Sequence, residues 1–138
     1  MARAFRLRIV TPERVIFDEQ VEMVIAPGTE GELAVQAYHT AFATSLKPGV
    51  LRVRKDIANT FERLSCTGGF LHVLNNDVQI LADASEFANE IDVERALKAR
   101  QRAEERLVSQ QDIDVMRAKL ALERALARLK TVGYEEDK

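Results

Sequence analysis

Residues 92–132 read DVERALKARQRAEERLVSQQDIDVMRAKLALERALARLKTV, and this stretch is the most informative part of the chain. Apolar residues recur in it every three or four positions, the spacing that places side chains along one face of an α-helix. The pattern breaks once, near Ser109–Asp112, and dense charge surrounds the narrow apolar stripes on both sides of the break. The stretch therefore predicts two helices that fold back on each other as an antiparallel hairpin.

Short-range signals mark the ends of the two predicted helices. Asp92 is expected to cap the first helix, because its carboxylate can accept hydrogen bonds from the free amide groups of the first turn. Either Ser109 or Asp112 could cap the second helix. Gly133 is a suitable terminator for the second helix, since glycine readily adopts the left-handed conformation that commonly follows a helix.

Alanine is abundant in both apolar stripes, which limits how much surface they can bury. The first stripe is Val93, Ala96, Leu97, Arg100 (through its aliphatic stem), Ala103 and Leu107, and the second is Val115, Ala118, Leu122, Ala125, Leu129 and Val132. Alanine lets two helices approach closely but contributes little buried area, so we expect a hairpin that is marginal when undocked and able to move. Permanent docking on the rest of the chain is the alternative that these residues leave open.

The first two-thirds of the chain has the short alternating runs of β-strands. Phe5, Leu7 and Ile9 alternate with two arginines and a valine, the period-two pattern of a half-buried strand. Turns are expected at residues 11–14, 27–31, 47–49, 55–59 and 75–77, the last as a type I or I′ hairpin, and residues 38–46 as a loop or irregular strand. Gly68-Gly69 indicates a bulge or a close strand crossing. This spacing predicts a β-sandwich or barrel at residues 1–86, followed by a helical domain at residues 87–138.

Composition and charge exclude several classes of protein. The 138 residues carry a net charge of −2, and arginines are interleaved with acidic residues, so no basic surface suited to nucleic acid is expected. No run approaches the roughly 18 consecutive apolar residues of a membrane-spanning helix, and the N-terminus lacks the apolar core of a secretory signal. We therefore expect a soluble, cytosolic chain that meets a membrane only as part of a complex. The one cysteine, Cys66, is expected to be a buried filler rather than a reactive thiol.

Residues suited to catalysis or metal binding are scarce. His39 and His72 have no cysteine or second histidine nearby, and one cysteine cannot form a thiolate site. The nucleophile-elbow, phosphate-loop and dinucleotide-binding motifs are also missing. His39 falls in a predicted loop, where it either contacts a partner or bonds to local backbone, and His72 is expected on one sheet face without a catalytic role. An enzyme is therefore the least supported class.

Five charged residues of the predicted hairpin form a polar constellation. Asp92 and Arg95 lie three positions apart at the start of the first helix, and Arg102 follows two turns later on the same face. Arg124 and Arg128 lie one turn apart on the second helix. An antiparallel hairpin brings these ends together, so that several guanidinium groups converge in a way that suits the oxygens of a polyphosphate. Ordinary surface pairs with neighbouring acids are the alternative that the spacing leaves open.

Six segments, in the same order and spread over the whole chain, match one known family. They are residues 9–13 (IVTPE), 28–33 (GTEGEL), 46–53 (LKPGVLRV), 68–70 (GGF), 78–83 (VQILAD) and 90–96 (EIDVERA). The chain thus resembles the ε subunit of bacterial F-type ATP synthases, whose mitochondrial counterpart is called δ. The resemblance implies a β-sandwich of about ten short strands followed by a C-terminal two-helix hairpin.

The resemblance also implies a non-catalytic rotor subunit of a proton-translocating ATP synthase. Such a subunit binds the γ subunit, sits on the c-ring at the cytoplasmic side of the bacterial membrane, and inhibits ATP hydrolysis when its hairpin extends toward the catalytic head. The basic second helix, with Arg117, Lys119, Arg124 and Arg128, is then expected to meet the β and α subunits of that head. A free-standing nucleotide-sensing module is the alternative, and co-purification with γ would exclude it.

One motif of this family concerns nucleotide binding. Some bacterial members bind ATP at the pattern Ile/Leu-Asp-x-x-Arg-Ala, which residues 91–96 (IDVERA) match in full. The match supports a regulatory ATP, with or without Mg, that is held by Asp92, Arg95 and the nearby arginines and keeps the hairpin down. The loop at residues 36–41 (QAYHTA), where such subunits approach the rotor ring, lacks the two prolines and the glycine usual in the family. His39 is retained there and is carried over as a partner contact.

Overall fold

The computed structural model describes residues 3–56, 58, 60–109 and 115–133. In these ranges the strands are β1 (Phe5–Val10), β2 (Val15–Val21), β3 (Met23–Gly28), β4 (Gly31–Gln36), β5 (Phe42–Arg54), β6 (Glu62–Leu74) and β7 (Asp77–Ala82). One turn of 3-10 helix at Ala88–Glu90 then leads into the helices α1 (Val93–Ser109) and α2 (Val115–Thr131).

The seven strands form one hydrogen-bonded sheet that folds over into two layers. The order across the sheet is β2-β1-β7-β6-β5-β3-β4. β5 and β6 are 13 residues each and run antiparallel to each other through both layers. They pair with each other in two stretches, residues 42–46 with 69–73 and residues 48–53 with 62–67. In the first stretch β6 also pairs with β7, and in the second β5 also pairs with β3. Side chains from all seven strands meet between the layers in one apolar core, which confirms the predicted β-sandwich.

The structure has seven strands where about ten were expected, and two of the missing ones arise because two predicted breaks lie inside continuous strands. The turn predicted at residues 47–49 is wrong, since Pro48 pairs with Thr67 within β5. A proline is tolerated there because the ladder between β3 and β5 is interrupted opposite it, between Ile25 and Gly28. Gly68 and Gly69, with φ of 116° and 145°, let β6 bend from one layer into the other. Each long strand therefore replaces two short ones.

The β6–β7 hairpin has the tight turn that the sequence predicts at residues 75–77. Asn75 and Asn76 both have positive φ, 53° and 63°, which is the conformation of a type I′ turn. The side chain of Asn76 accepts a hydrogen bond from the Tyr38 amide at 2.7 Å and donates one to the Ala4 carbonyl at 3.0 Å. Residues 42–46, expected as a loop or irregular strand, instead begin β5 because they pair with the end of β6.

The two helices form the predicted hairpin, and α2 is the helix that packs on the sandwich. α2 contacts β5 and β6, whereas α1 packs mainly on α2. The buried side chains of the described helical residues are Ala96 and Ala103 in α1 and Ala118, Ala125, Ala127, Leu129 and Thr131 in α2. Val115, placed in the second stripe by the sequence, is 49% exposed. The hairpin is therefore docked in a compact arrangement, chiefly through alanines and one leucine.

The start of α1 and the end of α2 behave as the capping signals predict. The Asp92 carboxylate accepts a hydrogen bond from the Arg95 amide at 3.1 Å and so caps α1. Gly133 has φ of 76°, and its amide donates to the Lys130 carbonyl at 3.0 Å, which ends α2. Of the two caps predicted for α2, Ser109 is wrong, because it is the last residue of α1 and α2 begins at Val115. Asp112 lies outside the described residues, so that cap stays a prediction. Within the described ranges, no helix is long and apolar enough to cross a membrane.

Candidate functional site

A cavity of about 440 Å³ opens where both helices meet the segment that follows β7. We call it the helix-joint cavity, and its lining residues are Glu86, Glu90, Asp92, Arg95, Ala96, Ala99, Arg102, Ala125 and Arg128. Four of the five residues of the predicted polyphosphate site, namely Asp92, Arg95, Arg102 and Arg128, therefore come together. The volume lies within the range of small-molecule sites.

Helical spacing explains which side chains reach this cavity. Arg95 and Arg102 are seven positions apart on α1, so two turns of helix place both on the face that begins at Asp92. The antiparallel return of α2 brings Arg128 to the same place. Arg124 lies one turn earlier on α2, is exposed, and is not among the residues that line the cavity.

An ion pair connects α2 to the end of the sandwich at this cavity. The Arg128 Nε atom donates to the Glu86 Oε1 atom at 2.9 Å, and both side chains are about one-third exposed. A pair with this exposure is screened by water and contributes roughly 1 kcal/mol or less. Arg128 is therefore held by the sandwich in the compact arrangement, not presented to a partner.

The formal charges that line the helix-joint cavity cancel, since three arginines face three carboxylates. The Glu90 Oε1 atom accepts a hydrogen bond from the Phe87 amide at 3.1 Å, and Asp92 caps α1. Within the described part of the chain, the guanidinium groups of Arg95 and Arg102 have no ion-pair partner. These two groups are therefore the ones best placed to bind an added anion.

Two carboxylates of the cavity were not predicted from the sequence. Glu86 and Glu90 precede α1, and helical spacing carries no information about a segment outside the helices. The available signal was their position directly before the residues 91–96 motif. In the described residues, no group of three or more His, Cys, Asp or Glu side chains is arranged to hold a metal ion.

The other predicted partner residues of α2 lie at its solvent face. Arg117, Lys119 and Arg124 are exposed. Two large apolar side chains of the same helix, Met116 and Leu120, are 67% and 40% exposed. This exposed face combines positive charge with apolar surface, which is the composition expected of an area that docks on an acidic partner.

Two family models match consecutive parts of the chain. Residues 4–88 match the β-sandwich domain of the ATP synthase delta/epsilon chain. Residues 89–133 match the long α-helix domain of the same chain. The chain belongs to the ATP synthase delta/epsilon family. It is accordingly a non-catalytic stalk subunit of ATP synthase.

Similar epsilon chains cover nearly all of this one. The ATP synthase epsilon chain of Desulforamulus reducens is 47% identical over 131 residues, which are 94% of this chain and 98% of the relative. That of Syntrophobacter fumaroxidans is 48% identical over 131 residues, 94% of this chain and 96% of the relative. A chain in the mitochondrial ATP synthase of Euglena gracilis, a structure that includes the c-ring, superposes with a TM-score of 0.79 at 26% identity, covering 94% of this chain and 81% of that one.

The outer face of the other sandwich layer carries exposed apolar side chains in this epsilon-family chain. Phe70 of β6 and Leu81 of β7 are directly paired across the two strands and are 61% and 49% exposed. Leu74, at the end of β6, is 48% exposed. The end of α2 lies beside Gly49, Arg52 and Arg63, which belong to the opposite layer, so the hairpin leaves this face uncovered. Sequence alternation alone did not identify it, because the same pattern fits either face being buried.

His39, the histidine in the loop at residues 36–41, contacts residues of its own chain. The His39 Nδ1 atom lies 2.8 Å from the Thr40 carbonyl oxygen, and its ring packs edge-on against Phe42 at 5.9 Å between centroids. The local backbone bond is the simpler of the two interpretations that the sequence left open. His72 is exposed on the outer sheet face, as expected.

Cys66 lies in the sandwich core and is fully buried, as the sequence predicts. Burial raises the pKa of its thiol to about 11, because the apolar surroundings disfavour the charged thiolate. The thiolate is the reactive form of cysteine, so the folded chain keeps this residue inert at neutral pH.

The raised pKa of Cys66 predicts a loss of stability in alkali. The unfolded thiol ionises near its ordinary pKa of 9.0, whereas the folded thiol keeps its proton until about 11. The contribution is therefore fully present below pH 9 and is lost as the pH rises toward 11, by on the order of 2–3 kcal/mol in the free energy of unfolding. Urea titrations at pH 8 and pH 10.5 measure this loss. Cys66→Ala is the control, and an equal loss in that variant would contradict the assignment.

Proposed function

We propose that this chain is a rotor subunit that couples the γ subunit to the c-ring and inhibits ATP hydrolysis when α1 and α2 leave the sandwich. ATP, with or without Mg, binds in the helix-joint cavity and favours the compact arrangement. The protein then acts at the cytoplasmic side of the bacterial membrane, peripherally, as part of the assembled enzyme. The contacts with γ and the c-ring, the location, the hydrolysis control and the nucleotide site are all parts of this proposal that go beyond family membership.

The observation that carries the proposal is the composition of the helix-joint cavity. Its walls come from α1, from α2 and from the segment that joins the sandwich to the helices. A ligand that contacts all three at once is lost when any one of them moves away. Such a ligand binds the compact arrangement more tightly than the extended one, and only this difference in affinity can shift the equilibrium.

The chemistry of the cavity suits a nucleotide of modest affinity. Arg95 and Arg102 offer two guanidinium groups to the phosphate oxygens, and three alanines supply an apolar surface for a base. The carboxylates of Glu86 and Glu90 oppose the same phosphates, since like charges repel. A bound Mg would relieve that repulsion by placing positive charge between phosphates and carboxylates.

The outer surfaces support the coupling role. The exposed Phe70 and Leu81 lie on the layer opposite the hairpin, so γ can bind there whether or not the helices move. The α2 side chains Arg117, Lys119 and Arg124 are the ones proposed to meet the β and α subunits of the catalytic head after release. Arg128 joins them only when its ion pair with Glu86 breaks.

Replacing Arg95 by alanine tests the nucleotide site. We expect at least a tenfold loss of ATP affinity, because a hydrogen bond to a charged group contributes about 1.5–3 kcal/mol. Calorimetric titration of ATP into the purified chain measures this, with and without Mg. In the assembled enzyme, the same substitution should extend inhibition of hydrolysis to higher ATP concentrations.

Arg124→Ala is the matched control, since it removes the same charge from the hairpin but not from the cavity lining. ATP affinity should change less than twofold in that variant. If both variants lost ATP affinity equally, the loss would come from the lower positive charge of the hairpin and not from the cavity. Unchanged affinity in Arg95→Ala, or no binding by the unmodified chain at millimolar ATP, would contradict the nucleotide site.

A further inference from the structure

The side chain of Asn76, in the turn between β6 and β7, joins segments that lie far apart in the chain. Its Oδ1 atom accepts a hydrogen bond from the Tyr38 amide at 2.7 Å, and its Nδ2 atom donates one to the Ala4 carbonyl oxygen at 3.0 Å. The acceptor and the donor end of this side chain are thus both used. We call these two bonds, to Tyr38 and to Ala4, the Asn76 clamp.

The loop that the Asn76 clamp holds is not stiffened by its own sequence. Residues 36–41 contain neither proline nor glycine. Tyr38 nevertheless has φ of 61°, in the left-handed region that bulky side chains rarely adopt. Such a conformation persists only where surrounding contacts determine it, and positions of this kind concentrate at functional sites. The bond from the Tyr38 amide to Asn76 is one contact that determines it.

The clamped loop displays large side chains to solvent at one end of the sandwich. Tyr38 is 68% exposed, and the Arg3 guanidinium lies 5.8 Å from the centre of its ring. Phe42 and Leu74 are 42% and 48% exposed at the same end, because Phe42 pairs with Val73, the neighbour of Leu74. We call Tyr38, Phe42 and Leu74 the turn edge. Aromatic rings and arginine are enriched in protein–protein interfaces, so the composition of the turn edge suits a protein partner.

The place of the turn edge favours a partner that stays bound while the helices move. The helix-joint cavity and the surface at the end of α2 are lined by other residues, so the turn edge is present in both arrangements of the hairpin. Docking is also tighter when a loop is already in its bound shape, because no free energy is then lost in ordering it. The Asn76 clamp supplies that order before the partner arrives.

We propose that Asn76 is a positioning residue for the contact with the c-ring, because the clamp holds Tyr38 as a preformed contact on the turn edge. Tyr38 touches the ring, whereas Asn76 acts through Tyr38. The inference rests on the proposed function in that the c-ring is the partner. It involves neither ATP nor the movement of the helices.

Hydrogen exchange in the full Asn76→Gly chain tests the clamp. Glycine suits a positive φ in a type I′ turn, so this variant removes the clamp and keeps the β6–β7 hairpin. The Tyr38 amide should exchange about tenfold faster or more, because it loses its hydrogen-bond acceptor. Amides of the core strands, such as those of Leu71 and Ile80, should keep their protection. Unchanged exchange at Tyr38 would overturn the proposal.

The contact itself is measured in the assembled enzyme. Purified chain is titrated into membrane vesicles whose ATP synthase has been depleted of this subunit, and the concentration that restores half of the ATP-driven proton pumping is recorded. Asn76→Gly and Tyr38→Ala should each require about three- to tenfold more chain. The double variant should require little more than either, because both substitutions remove one contact.

Two further variants separate the clamp from the turn. Asn76→Asp keeps an acceptor oxygen for the Tyr38 amide and should restore the half-maximal concentration to within twofold of the unmodified chain. Asn75→Gly is the matched control, since it makes the same change at the other positive-φ residue of the turn, outside the clamp, and should match the unmodified chain. An equal loss in Asn75→Gly and Asn76→Gly would overturn the inference, because the loss would then come from the turn.

The titration also distinguishes this inference from the proposed function. If the unmodified chain restores pumping and Asn76→Gly does so at the same concentration, the inference is overturned and the proposed coupling stands. If the unmodified chain restores no pumping, the proposed coupling is contradicted, and the role of Asn76 with it.

Discussion

Replacing Gly69 by alanine is expected to destabilise the sandwich severely. A Cβ atom at this position would overlap the carbonyl oxygen of Leu81 and lie 2.9 Å from the Ala82 Cα atom. Both obstacles are backbone of β7, so β6 and β7 must separate to admit the methyl group. The φ of 145° adds conformational strain, because residues with a side chain rarely adopt it. We expect a loss of about 4 kcal/mol or more, a large share of the stability of a small domain.

Gly31→Ala separates the overlap from the strain. Gly31 also has a strongly positive φ, 129°, but a Cβ atom there would meet nothing within 4 Å. This variant should lose only the cost of the backbone conformation, on the order of 1–2 kcal/mol. Urea unfolding followed by circular dichroism compares the two. Similar midpoints for both variants would mean that β7 yields to the added methyl group.

Leu129→Ala is expected to release the hairpin while the sandwich stays folded. Leu129 is fully buried and is the largest such side chain among the described residues of the two helices. Truncating a buried leucine costs about 2–5 kcal/mol. The rest of the α2 contact consists mainly of alanines, which bury little surface and leave little to hold the helix. We therefore expect this substitution to weaken the docking of α2 and not the folding of the sandwich, because α2 can leave without opening the core between the two layers.

Leu120→Ala is the control, since it makes the same truncation on the same helix at a side chain that is 40% exposed. Hydrogen exchange should accelerate in α2 by at least tenfold in Leu129→Ala and by much less in Leu120→Ala, with core strands protected in both. In the assembled enzyme, Leu129→Ala should strengthen inhibition of ATP hydrolysis. Equal protection in the two variants, or loss of protection throughout the sandwich in Leu129→Ala, would contradict this account of docking.

Residues of the candidate site were predictable where they share one helix. Asp92, Arg95 and Arg102 lie on one face of α1 because of helical spacing, and the cap at Asp92 is a contact across three residues. Arg128 followed from the antiparallel turn. Arg124 lies outside the lining even though it is one turn from Arg128, since the angular position of α2 depends on its packing against β5 and β6.

An all-β first domain (a sandwich or a barrel), the helical hairpin, the cap at Asp92, the terminator at Gly133 and the burial of Cys66 were all predictable from the residues alone. Each of these rests on periodicity or on contacts between residues a few positions apart, which local stereochemistry governs. The unbroken course of β5 and β6 past Pro48 and Gly69, and the ion pair between Glu86 and Arg128, became visible only in the folded chain. These features join segments that lie far apart in the chain, so they depend on how the strands pair and how the hairpin packs on them. No local pattern carries that information.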